Sequence, residues 1–231
     1  ATTKSEGTPL MLAASMGNLG MVRILLECNA NLDVRAINGT TAIFNAAYFR
    51  KMEVVQVLLE AGADNADADL TKQDDEGWNI LHHAAKLNDT AVVRYLLEED
   101  PFKSQIDITN GMGLTALMIA ASVGATDVVA VLMDADPKAD VKKSRGDGFT
   151  ALHFAAQNGH MAVVQRLIAG GAALEAKDDA GKTPHMIADE KGHEAVVQVL
   201  LDAGADLEEV NPQYEERLIA LHDEAKQGHG G

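Results

Sequence analysis

Positive charge is scarce in this chain. Its 231 residues carry 19 Lys and Arg against 35 Asp and Glu, a formal charge of −16. Such a field repels phosphate backbones and anionic lipid surfaces, so neither nucleic acid nor membrane is expected as a partner. Cysteine is scarcer still. Cys28 stands alone, so no disulfide can close within the chain, and a free thiol in a stable fold suits a reducing compartment: cytoplasm, with the nucleus left open. No run approaches the ~18 consecutive apolar residues of a membrane helix. The opening stretch Ala1 to Glu6 has no apolar core of the kind that directs secretion. Residue patterns of catalysis are missing too: there is no nucleophile elbow, no glycine loop built to cradle phosphate and no Cys-x-x-Cys pair. The expectation is a protein without enzymatic activity and without a cofactor.

What is present is repetition. The chain is 47% hydrophobic and 23% charged, a balance that can bury a continuous apolar interior. Six segments fall into register: 7–27, 40–64, 78–99, 114–134, 149–173 and 182–206. Their common anchor is Thr8, Thr41, Asn79, Thr115, Thr150 and Thr183, at intervals of 33, 38, 36, 35 and 33 residues. The unit is 33 residues long, with three short insertions.

Each unit carries its own helix signals. The anchor hydroxyl or amide can cap a first helix, a contribution of ~1 kcal/mol per unit, and Pro9 and Pro184 follow it where a helix needs no N–H. Paired alanines recur at Ala13 and Ala14, Ala46 and Ala47, Ala84 and Ala85, Ala120 and Ala121, and Ala155 and Ala156, small enough to let helices approach closely. Gly17, Gly124, Gly159 and Gly192 then supply the left-handed turn into a second helix. Val163, Val164, Leu167 and Ile168 in the fifth unit, like Val196, Val197, Leu200 and Leu201 in the sixth, match a 3.6-residue period.

Thr-Pro-Leu-x-x-Ala-Ala at 8–14, Thr-Ala-Leu-His-Phe-Ala-Ala at 150–156 and Leu-Leu-x-Ala-Gly-Ala-Asp at 58–64 and 200–206 resemble the ankyrin repeat. The resemblance covers residues 7–206 and implies an all-α solenoid. In it, paired antiparallel helices stack with β-hairpin-like fingers between successive pairs. One pair cannot cover its own apolar face and must bury it on its neighbours. The expected layout is a repeat domain over 1–210, a C-terminal capping helix over 211–227 and a disordered tail over 228–231. The capping helix would place Tyr214, Leu218, Leu221 and Ala225 on one face; a free docking helix is the alternative reading. The first unit shows no cap of its own, which leaves open a module cut from a longer enzyme or channel polypeptide.

The pattern breaks at defined places. Asp100-Pro101 and Asp136-Pro137 replace the closing glycine of the third and fourth units, so the second helix should stop there and enlarge the fingers that follow. Arg50 occupies the first turn position of the second unit, where positive φ costs a non-glycine residue on the order of 1–2 kcal/mol; a rebuilt turn is expected. His185 replaces a buried leucine and Asp189 an alanine in the sixth unit, as suits a partly exposed boundary repeat.

Three clusters suggest chemistry and are set aside. His82 and His83 are adjacent on a helix and point ~100° apart, whereas metal-binding helices space their ligands at three or four residues. The resemblance implies instead that His82 and His153 support neighbouring fingers by hydrogen bonds, with His160 and His193 opening second helices. The acidic run Asp64, Asp67, Asp69, Asp74, Asp75 and Glu76 lacks the ligand order of a calcium loop and reads as a solvated finger. Lys142, Lys143 and Arg145 make only a brief basic patch.

The resemblance also implies which residues face the open groove: the position before each anchor and the two after each alanine pair. In the middle units these are Thr40, Tyr48, Phe49, Trp78, Lys86, Leu87, Leu114, Ser122, Val123, Phe149, Gln157 and Asn158, joined by Met112 on a finger. Aromatic and aliphatic side chains held together in water are the raw material of interface hot spots. The expectation is a groove across units two to five that binds a protein partner, with Trp78 and Phe149 as anchors and an acidic rim that favours a basic segment. A monomer is expected. The opposing possibility is that enlarged fingers fold over the stripe and bury it.

Overall fold

The computed structural model describes residues 7–63, 72–98 and 100–206. The expected C-terminal helix, the tail, the first six residues, and Asp64, Asp67 and Asp69 of the acidic run lie outside them. Helices come in pairs: α1 (Pro9–Met16) with α2 (Leu19–Glu27), α3 (Ala42–Tyr48) with α4 (Met52–Ala63), and α5 (Ile80–Lys86) with α6 (Thr90–Glu98). After a short α7 (Asp100–Lys103) follow α8 (Ala116–Ser122) with α9 (Thr126–Asp134), α10 (Ala151–Gln157) with α11 (Met161–Ala169), and α12 (Pro184–Glu190) with α13 (Glu194–Asp202). There is no β-strand among the described residues.

First helices stack on first helices, in the order α1, α3, α5, α8, α10, α12, and second helices on second helices, α2, α4, α6, α9, α11, α13. The alanine pairs make the inner stack possible, since Ala14, Ala47, Ala85, Ala121 and Ala156 are all buried where one helix crosses the next. The second layer closes the core with Val54, Val55 and Leu58, then Val92, Val93 and Leu96, and their counterparts down the stack. Each such side chain contributes about 1.5–3 kcal/mol when fully buried.

The anchors act as caps where geometry allows. Thr8 and Thr115 accept the amides of Met11 and Met118 at 3.1 and 3.2 Å. Asn79 and Thr150 form reciprocal caps with His82 and His153, while the Thr183 hydroxyl turns to His185 Nδ1 at 2.8 Å. His185 is buried at the leucine position, where that partnership accommodates an imidazole, and Asp189 is half-buried.

Arg50 also corrects the sequence reading. It keeps the left-handed turn at φ 56°, with Arg50 N–H donating to Ala47 O at 3.0 Å and Lys51 N–H to Ala46 O at 2.8 Å. Gly17 and Asn18 make the same two bonds to Ala14 and Ala13. Arg50 gains a contact that glycine lacks, since its guanidinium donates to the carbonyl of Leu87 in the next repeat.

The fingers are not enlarged at their tips. Ala36–Gly39–Thr40, Asp74–Gly77–Trp78, Asn110–Gly113–Leu114, Arg145–Gly148–Phe149 and Asp178–Gly181–Lys182 share one turn, in which the first residue bonds the last and the glycine N–H returns to the first carbonyl. These glycines sit at φ between 75° and 83°, and a Cβ on Gly77 would meet the Gly111 amide of the adjacent finger at 2.6 Å. Only glycine fits. The extra residues after α6 go elsewhere: α7 and the turn behind it bury Phe102 and Ile106, with α7 packed on α6.

Candidate functional site

Histidines join the repeats from inside. His82 Nδ1 accepts the Asn79 amide at 3.0 Å, which leaves Nε2 as the donor to Ile108 O at 3.0 Å, near the following finger. His153 repeats this with the Thr150 amide at 3.1 Å and Lys182 O at 3.2 Å. Two backbone groups thus demand the neutral ring, and burial drives His82 down to about 4. His153 is lowered for the same reason. His160 and His193 reach back to Ser122 O and Gln157 O at 3.1 and 3.0 Å. No cluster of three metal-binding side chains occurs among the described residues.

The described acids at 74–76 are structural at one end. Asp74 Oδ1 accepts the amides of Glu76 and Trp78 at 3.0 and 2.8 Å, and Oδ2 meets His83 Nε2 at 3.2 Å. This pulls the finger back onto α5, and Trp78 with it. Trp78 was expected to be an open anchor, but it is only 6% exposed. Its ring lies 5.2 Å from His83 and 6.1 Å from His82, with Lys86 Nζ 4.9 Å above it. Its indole N–H finds no acceptor among the described residues.

Phe149, the second expected anchor, is half-buried and covered. Arg145 lies over both Phe149 and Phe154, at 5.3 and 5.2 Å, and is held there by Asp147. The guanidinium's hydrogen bonds hold the Asp147 carboxyl down to about 2. The supposed basic patch is therefore divided: Arg145 is spent on this stack, and Lys143 donates to Asp107 O at 2.8 Å.

The remaining groove residues differ. Tyr48 (56% exposed), Phe49 (51%), Met112 (56%) and Val123 (44%) stand open to solvent. Lys86 is exposed, while Thr40, Leu87, Leu114 and Gln157 are half-buried. Phe49, Leu87 and Val123 are the C-caps of three successive first helices, each eight residues past its anchor, and so lie along one surface of the stack.

A cleft of ≈ 530 Å³ opens at one end of this surface, lined by Asn38, Thr40, Phe44, Asn45, Tyr48, Phe49, Asp74, Asp75, Glu76 and His83. Sequence reasoning places Thr40, Tyr48 and Phe49 there and misses the rest. The signals were the acids two to four residues before Trp78 and the fourth residue past each anchor, Asn45 and His83. A second cavity of ≈ 480 Å³ lies between α6 and α9 and is lined by Arg94, Glu98, Asp127 and Asp134 among others, with no aromatic wall.

Comparison with known proteins agrees with this architecture. A family model, "Ankyrin repeats (3 copies)", matches residues 1–69, 65–144 and 135–211. The ankyrin repeat and SAM domain-containing protein 6 of Danio rerio is 33% identical over 142 residues, 61% of this chain and 18% of its own length. A probable E3 ubiquitin-protein ligase, XBOS32 of Oryza sativa subsp. japonica, is 30% identical over 81% of this chain and 36% of its own. The chain thus spans well under half the length of these relatives. Among solved structures, the ankyrin repeat domain of Bcl-3 aligns with a TM-score of 0.76 at 26% identity, covering 88% of this chain and 89% of that one. An ankyrin repeat domain from Acinetobacter baumannii AYE gives 0.73 at 27% identity, over 86% and 98%.

Proposed function

Because the chain belongs to the ankyrin repeat family, a fold of protein interaction modules, we propose that it is a non-enzymatic scaffold or adaptor that holds a segment of another protein along repeats 2 to 5. One observation carries the reading: Tyr48, Phe49, Met112 and Val123 are open to solvent at the ends of first helices and on a finger of that region, where apolar exposure costs solubility unless it is used. They replace Trp78 and Phe149 as the anchors, which become supports behind them. The chain's −16 charge favours a basic segment through steering. Cytoplasmic or nuclear residence and a monomeric state belong to the same reading.

The test is capture followed by mass spectrometry. Tyr48→Ala/Phe49→Ala and Met112→Ala/Val123→Ala variants should keep the helical circular dichroism spectrum and lose the captured proteins. An unchanged capture profile in both variants would overturn the reading.

A second reading, a regulatory or targeting module within a longer polypeptide, is favoured by the first pair. Leu12, Met16, Met21 and Ile24 are all exposed on α1 and α2, an apolar face that a preceding element could cover. Relatives such as a transient receptor potential channel subfamily A member 1 homolog of Caenorhabditis elegans match over 15% of their own length. Reading the complete open reading frame decides it.

A further inference from the structure

The cleft between α3 and the second finger combines two kinds of wall. One is aromatic. Tyr48 stands edge-on to Phe49 at 5.2 Å and to His83 at 6.4 Å, and Phe44 stands edge-on to His83 at 5.3 Å. The other is acidic, with Asp74, Asp75 and Glu76 presented by one turn. Arg35 pairs with Asp75 at 3.2 Å, His83 occupies Asp74, and Glu76 carries no ion pair among the described residues. A single arginine, on Asp75, thus answers the three carboxylates of a pocket that Phe44, Tyr48 and Phe49 also line.

We propose that this cleft is the recognition pocket for an arginine side chain of a basic protein segment, with the guanidinium stacked on Tyr48 and bonded to Glu76. This rests on the groove reading above and adds the chemistry of its specificity. Planar, weakly hydrated guanidinium suits a site with both an aromatic face and a carboxylate better than ammonium does. The segment's backbone then runs from Phe49 toward Val123, along the exposed surface of the first helices. Burial of His83 against Phe44 and Trp78 keeps the ring from competing as a cation, since desolvation lowers its proton affinity despite the opposing pull of Asp74.

The experiment records amide nuclear magnetic resonance spectra of the full chain while three probes are titrated: N-acetyl-Gly-Arg-Gly-amide, its citrulline counterpart and spermidine. The arginine peptide should give saturable shifts at Tyr48, Phe49, Asp75 and Glu76, and citrulline none. Tyr48→Ala and Glu76→Gln should each weaken saturation by roughly threefold, whereas Met112→Ala/Val123→Ala should bind the short peptide like the unaltered chain. Equal shifts with citrulline, shifts elsewhere, full-strength binding by both cleft variants, or spermidine saturating before the peptide would each overturn the pocket. Capture that survives Tyr48→Ala but not Met112→Ala/Val123→Ala would remove the pocket and spare the groove. Arginine binding at the cleft with no protein captured would do the reverse.

Discussion

At His82 a single proton sets a local stability. Nδ1 is an acceptor for the Asn79 amide and Nε2 a donor to Ile108 O, so protonating Nδ1 both charges a buried ring and strands a backbone N–H. The folded value of about 4 lies below the ordinary 6.5. The unfolded chain therefore takes up the proton first as pH falls, and the contribution of the neutral ring, complete above pH 6.5, is lost progressively down to about 4. That is on the order of 3 kcal/mol for this one side chain, and the lowered values of His83 and His153 act in the same direction. Urea midpoints measured at pH 7 and at pH 4.5 should fall accordingly. A His82→Asn variant, weaker at pH 7, should show the shallower dependence; equal slopes would mean that His82 is not the group responsible.

At the level of the element, the inter-helix turn shows how backbone geometry outranks residue preference. Three hydrogen bonds, two to the alanine carbonyls and one to the next repeat, hold Arg50 in a conformation that glycine adopts elsewhere. Two effects of opposite sign meet there, since left-handed φ costs energy while the guanidinium gains the Leu87 carbonyl. They separate in a pair of substitutions. Arg50→Ala loses the bond and keeps the strain, whereas Arg50→Gly loses the bond and releases it, so thermal unfolding should rank glycine above alanine by about 1 kcal/mol. Alanine equal to or above glycine would mean that the turn relaxes when Arg50 is removed. The repeated caps, alanine pairs and turn glycines were legible in the sequence because each is a local rule satisfied within a few residues. Trp78 was not, because its burial depends on Asp74 drawing a finger onto a helix, a contact that no periodicity encodes. Phe102 escaped for a related reason: an insertion read as loop length becomes a helical turn once an aromatic ring finds space beneath α6.

On the scale of the whole molecule, stacking and charge pull in different directions. Each helix pair buries its alanines and valines on the next, so the stack coheres by short-range apolar contact, while a net charge of −16 acts along its full length and favours expansion. The same field draws a basic segment toward Glu76 and the exposed surface beyond it. Screening must therefore affect folding and binding with opposite sign. Raising salt from about 0.02 to about 0.2 M shortens the reach of the field, so the unfolding temperature should rise, by about 3 °C if screening relieves about 1 kcal/mol. Over the same range the arginine peptide should lose roughly threefold in affinity as its attraction is screened. Differential scanning calorimetry and the peptide titration, run in matched buffers, measure the two together. A peptide affinity indifferent to salt would leave the aromatic wall as the only attraction in the cleft, and an unfolding temperature that falls with salt would show that ion pairs such as Arg35–Asp75 and Arg166–Asp134, rather than self-repulsion, govern the electrostatics of the stack.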